Sequence, residues 1–126
     1  MSETDQDQHN ANLVRALYEA SFAGDVNAFP NAMLDDFEAH VPPVLPWGGV
    51  QHGPQAFLIN VLPQLAAAVD CASMRLVSIS ADGDRVAALL TARSAGGEEL
   101  WIAEHWALQD ERLWRLRVFL SRHAAT

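Results

Sequence analysis

The sequence has no lysine. All eight of its strongly basic side chains are arginines, they face sixteen acids, and the formal net charge is −8. A nucleic-acid binder needs a basic face to neutralise phosphates, so this balance argues against that class. It argues equally against an anionic membrane surface. The acidic excess reads as a solubility device. There is one cysteine, Cys71, which excludes an internal disulfide and fits a reducing compartment. Cys71 itself is expected to be a small buried residue. No apolar run approaches the roughly 20 residues needed to span a bilayer. The opening "MSETDQDQHN" lacks the basic start and apolar centre of a secretory signal. The expectation is a soluble, cytoplasmic protein with no nucleic-acid or membrane partner. There is no internal repeat, low-complexity tract or linker.

What is present suits one domain. The chain has 126 residues and half of them are apolar, enough for a single core. Residues 1–9 read as a disordered tail and 10–123 as the domain. Residues 11–23, "ANLVRALYEASFA", place Leu13, Val14, Leu17, Tyr18 and Phe22 at helical spacing. Gly24 stops that helix and Asp25 caps the next. A second short helix is expected over 26–36, disturbed at Pro30, and then a short strand over 37–41. "PPVLPWGGVQHG", 42–53, reads as a long loop. Pro54 opens a third helix, and Pro63 should kink it. From residue 72 onward four strand-like runs, 72–80, 84–94, 98–108 and 112–121, are joined by short turns. Three helices followed by a four-stranded antiparallel meander make an α+β domain, with helices covering one sheet face.

The third of those runs, "ELWIAEHWALQ", contains an anomaly. Leu100, Ile102, Glu104, Trp106 and Leu108 alternate, so a strand points all five to one face. An apolar row selects against a carboxylate. Glu104 is therefore either a pocket acid or base tuned by burial, or a structural partner of an arginine such as Arg15, Arg93 or Arg117.

The order of parts resembles the SnoaL-like branch of the nuclear transport factor 2-like superfamily. The residues that carry the likeness are "AGD", "DDFEAHVPP", "LPWGGVQHGPQAFL" and the closing meander, covering about residues 11–121. The resemblance implies a curved sheet wrapped around the long helix at 54–69, a cone with an apolar pocket, and a homodimer paired through the outer sheet face. It also implies candidate activities: ketosteroid isomerase, polyketide cyclase, epoxide hydrolase, or none. Glu104 in "AEHW" falls where the isomerases carry a buried acid that donates to the substrate oxygen. Their general base falls on Val41, with His40 one residue earlier. Their helix-one tyrosine falls on Leu17, with Tyr18 adjacent. The epoxide hydrolases' arginine falls on Ile102 and their last-strand aspartate near Ser121, so neither specific chemistry is kept whole.

Glu104 and His40 are the expected catalytic pair. Tyr18, Phe22, Trp47 and Trp106 are the expected ligand contacts, with Trp47 on a loop at the pocket mouth. Each has a plainer alternative: His40 as a partly exposed histidine on the far face, Trp47 as a loop anchor, the other aromatics as core. His105 adjoins Glu104, but neighbours on a strand point apart, and no other spacing suggests a metal site. No metal and no cofactor are expected. The functional expectation is a cofactor-free isomerase or cyclase acting on a small apolar carbonyl compound. The alternative is a non-catalytic binding or dimeric interaction domain of the same fold.

Overall fold

The computed structural model describes residues 3–41 and 49–122, so Trp47 lies outside the described residues. The elements are α1 (Glu3–Phe22), α2 (Ala28–Asn31), β1 (Met33–Val41), β2 (Gly49–His52), α3 (Gly53–Ala56), a π-helical segment (Phe57–Val61), α4 (Leu62–Ala68), β3 (Val69–Asp82), β4 (Arg85–Ser94), β5 (Glu99–Gln109) and β6 (Arg112–Arg122). The strands form one six-stranded sheet in the order β2-β1-β6-β5-β4-β3. All neighbours are antiparallel except β1 and β6, which run parallel. Register shifts in the β1–β6, β3–β4 and β5–β6 pairs bend the strands.

The α+β class is as expected, but the expected four-stranded meander is part of a six-stranded sheet, and two parts differ. The expected second helix over 26–36 shrinks to α2, and the chain is already extended at Met33. The reason lies in "MLDDFEAHV". Met33, Phe37, Ala39 and Val41 are buried while Asp35 and Asp36 are exposed, a strand pattern with one irregularity. Gly49–His52 pairs with β1 as an added edge strand, so the Pro/Gly stretch is not a loop throughout. The sheet therefore has six strands, with β1 and β2 inserted among the helices.

Helix α1 starts at Glu3, so the expected tail contributes a helical turn and more. It is tied to the β3–β4 turn at Gly83. The Asp7 carboxylate accepts from the Gly83 N–H at 2.7 Å, and the Asn10 amide donates to the Gly83 carbonyl at 2.7 Å. At its other end Gly24, with φ +107, occupies the left-handed position of a Schellman cap. The Asp25 N–H reaches the Ala20 carbonyl and the Gly24 N–H that of Ser21.

Pro63, where a kink is expected, follows a change of helix type. Having no N–H, it cannot serve the carbonyl one turn back, and the helix widens to a π turn over Phe57–Val61 before α4 begins. Phe57 and Val61 are the buried members of that segment and face the sheet core. Cys71 differs from expectation: it is exposed near the start of β3.

Candidate functional site

The alternation in β5 survives folding. Leu100, Ile102, Trp106 and Leu108 are buried, and Glu104 shares their face. Its direct cross-strand neighbours are Ala88 on β4 and Val118 on β6. Ala88 is small and buried. Trp106 stacks on Phe29 with ring centroids 4.9 Å apart, and Phe37 lies 6.3 Å from it. Tyr18 meets the edge of Phe29 at 5.0 Å.

A directed chain of hydrogen bonds runs through this cluster. The Trp106 indole Nε1–H donates to the Tyr18 hydroxyl oxygen at 2.8 Å. The Tyr18 hydroxyl donates to Glu104 Oε1 at 2.6 Å. Indole nitrogen can only donate, so the Tyr18 oxygen is fixed as its acceptor and the phenolic proton is left for Glu104. One carboxylate oxygen is thereby held in place. The other has no hydrogen-bond partner among the described residues, and none of the buried side-chain polar atoms described is without a partner. Glu104 Oε2 thus opens onto space.

That space is a cavity of about 70 Å³. Its lining is apolar apart from Glu104: Phe57, Val61 and Leu65 from the helix, Leu90 and Ile102 from the sheet, and Val118 among the β6 residues. The void admits a few water-sized spheres, or the end of a small molecule. Burial pushes the Glu104 carboxyl above its usual range, and the hydrogen bond from Tyr18 pulls the other way. Tyr18 is pushed well above the ordinary phenol value by burial first and by the neighbouring Glu104 charge second.

No arginine pairs with Glu104 among the described residues, so the structural ion pair with Arg15, Arg93 or Arg117 is not made. Tyr18 and Trp106 come together with Glu104, but their polar atoms are spent on each other and on the carboxylate. Tyr18, not Leu17, takes the position beside the acid. Phe22 is 43 % exposed and touches Tyr18 at 6.0 Å, outside the cavity lining. His40 does not reach Glu104. Strict alternation in β1 buries Phe37, Ala39 and Val41 on one face and sends His40 to the other. The end of the strand at Val41 does not turn it inward. Among the described residues, no three His, Cys, Asp or Glu side chains are grouped to hold a metal.

Sequence reasoning missed Phe29 and Phe57. Phe29 sits next to Pro30 in a segment read as a short helix disturbed at that proline, and no local pattern marks it as the stacking partner of Trp106. The alternation of Leu116, Val118 and Leu120 along β6 was a legible sign of further cavity wall.

No curated protein matches the chain. Solved structures of low identity share its fold. A nuclear transport factor 2-like protein of unknown function from Burkholderia pseudomallei is 22% identical, with 96% of this chain and 92% of that one covered and a TM-score of 0.74. A candidate ketosteroid isomerase from Kribbella flavida is 13% identical, covering 95% and 83%, with a TM-score of 0.75. An LEH-like epoxide hydrolase from M. tuberculosis is 18% identical, covering 91% and 84%, with a TM-score of 0.69. The model of the SnoaL-like domain matches residues 14–116. A sheet with a lone acid on its apolar inner face and a family match over most of the chain agree, and the protein belongs to the SnoaL-like domain family.

Proposed function

We propose that this protein is a cofactor-free acid/base enzyme, an isomerase or cyclase, acting on a small apolar carbonyl compound. One observation carries the reading: a single carboxyl, oriented by the Trp106–Tyr18 hydrogen bonds, with its second oxygen open to an apolar cavity. Burial holds the Glu104 carboxyl above its ordinary range, so it gives up its proton less readily than an exposed glutamate and is a stronger base once ionised, which suits general acid/base work. As carboxylate, Glu104 takes a proton from the carbon next to a substrate carbonyl. The C–H pair moves into an enolate, and Glu104 returns the proton at another carbon; in a cyclisation the enolate carbon instead bonds to a second carbonyl carbon of the substrate, whose C=O π pair becomes an alkoxide that takes the proton from Glu104. Tyr18 keeps one oxygen engaged, so the open oxygen does the transfer. The small void suits the reacting end of the substrate, with the remainder directed outward.

A second reading is a binding domain that holds such a molecule without turnover. It is favoured by the cavity lining itself, where Glu104 is the only titratable side chain among the described residues. Enolate formation usually draws on a second donor near the same oxygen. Exchange of the α-protons of 2-tetralone in heavy water, followed by NMR, separates the two. The enzyme reading expects wild-type protein to speed exchange and Glu104→Gln to abolish that acceleration while still binding the ketone. Binding by the wild type with no acceleration would reject catalysis and leave the binding domain.

The protein is also proposed to be a homodimer paired through the outer sheet face. Leu89, Ala103 and Phe119 form one cross-strand row there, next to Trp101. Phe119 is 49 % exposed, and outer faces of monomeric sheets are usually more polar. A two-fold contact is the commonest way to cover such a patch.

A further inference from the structure

Glu104 divides the inner sheet face into a filled half and an empty half. Toward Trp106 the space is taken by the rings of Tyr18, Phe29 and Phe37. Toward Ile102 the next row across the sheet is Leu76, Leu90, Ile102 and Leu120. The last three of these line the cavity, and every other described lining side chain apart from Glu104 is aliphatic, Met74 or Phe57. Phe57, Leu90 and Ile102 are buried, whereas Leu65, Met74, Val118 and Leu120 are half-buried, so the cavity opens on their side.

Met74 is aimed by an irregularity in β3. The chain advances from Asp70 to Arg75 on β3 while β4 advances only from Arg93 to Thr91. The extra residues are held as a bulge. The Ala72 N–H donates to the Asp70 carboxylate at 3.1 Å, and the Ser73 hydroxyl donates to the Asp70 carbonyl at 2.6 Å. The same hydroxyl accepts from the Arg93 N–H at 2.8 Å, in place of a ladder carbonyl. Bulges bend a strand and re-aim a side chain, and here the bent strand turns Met74 onto the cavity. Methionine is unbranched, with three rotatable bonds, and shapes itself to a chain passing beside it.

We propose that the Glu104 cavity takes a straight-chain aliphatic ketone, carbonyl end inward, and that Met74 sets the width of its opening. This rests on the reading of Glu104 as the group that meets the reacting end of the substrate. The cavity of about 70 Å³ is less than half the size of the ~150 Å³ apolar cavity that takes up one benzene ring. A ring skeleton is therefore held only at the opening, whereas a methyl ketone end enters. The rest of an unbranched chain lies between Leu65, Met74 and Leu120. No described lining group at the opening can pair with a charge or hydroxyl on that chain, so a polar tail is disfavoured by its lost hydration.

The test titrates the whole chain with 2-butanone, 2-hexanone, 2-octanone and 2-tetralone. Methionine methyl NMR signals report Met74, and the buried Met33 is the internal reference. The linear ketones are expected to move the Met74 methyl and the Glu104 carboxyl carbon along one saturable curve. Their affinity should rise with length, by about fourfold for each methylene fully buried. 2-Octanone should bind more tightly than 2-tetralone. Met74→Ala should weaken 2-octanone about fourfold or more and shrink its lead over 2-tetralone. A Met74→Ala chain that fails to fold leaves the parent's ranking and its Met74 signal to decide. Four results would overturn the proposal: affinity flat with chain length, 2-tetralone binding as tightly as 2-octanone, a Met74 signal that stays still while that of Glu104 moves, or an unchanged ranking in folded Met74→Ala. Linear ketones bound in the expected order without proton exchange would reject the acid/base reading and uphold this one. Exchange of 2-tetralone together with any of the four results would do the reverse.

Discussion

At the scale of the residue, Glu104 explains its own odd position. Among the described residues, this carboxyl on an apolar row is held by one hydrogen bond and no counter-charge, so ionisation is disfavoured in the folded protein more than in the unfolded chain. Between the ordinary glutamate range and the raised native value, the folded state binds the proton and the unfolded state has lost it. Stability from this group is therefore full at acid pH and is lost as pH rises through that window. Glu104→Gln keeps an acceptor for Tyr18 and removes the charge. It should raise stability at pH 7 by ~0.5–2 kcal/mol, and the gain should shrink at pH 5. Thermal melts at the two pH values check this; a variant that melts lower at both would mean an uncounted partner holds the carboxylate. Tyr18→Phe strands the buried Trp106 N–H and should cost about 1–3 kcal/mol by urea denaturation. It also removes the hydrogen bond that restrains Glu104, so the Glu104 midpoint should move further up.

At the scale of the element, the meander was legible because β-strand alternation is a strong local pattern, as in "LWIAEHWAL". Element β1 was half hidden. Asp35 and Asp36 interrupt the alternation at the register shift between Met33 and Glu38, and the Ala- and Asn-rich approach reads as helix. Gly49–His52 is a strand only because β1 offers an open edge, which is tertiary context that four residues cannot announce. His40 was legible by alternation alone; the competing idea, that the strand end would turn it, fails because the strand runs regularly to Val41. The capture of Gly83 by Asp7 and Asn10 spans the whole sequence between them and left no local mark. It has a measurable consequence. Asn10 is 2 % exposed, so Asn10→Ala should destabilise by ~1–2 kcal/mol, against little change for exposed Gln8→Ala. Equal effects in chemical denaturation would show that the α1–Gly83 contact contributes nothing.

At the scale of the whole molecule, one sheet separates three surfaces. The inner face holds the core and the Glu104 cavity. The outer face splits into the apolar Leu89–Ala103–Phe119 row and the His40–Arg117–His105 row. The site was partly readable from sequence because Glu104, Trp106 and Tyr18 are each anomalous or aromatic on a buried face, whereas their mutual hydrogen bonds need the helix brought across the sheet. No helix of the described residues is long and apolar enough to cross a membrane. Sedimentation at micromolar concentration should give twice the 13.8 kDa chain mass, and Phe119→Asp should reduce it to a single chain. A single-chain mass for the parent would reject the pairing. The central claim, however, concerns one proton: that burial at the wall of an apolar cavity holds the Glu104 carboxyl above the ordinary glutamate range. The most direct measurement is an NMR titration of the Glu104 side-chain carboxyl carbon in the intact protein. The account predicts a midpoint clearly above the ordinary glutamate range, moving higher still in Tyr18→Phe. A midpoint at or below the ordinary range would contradict it.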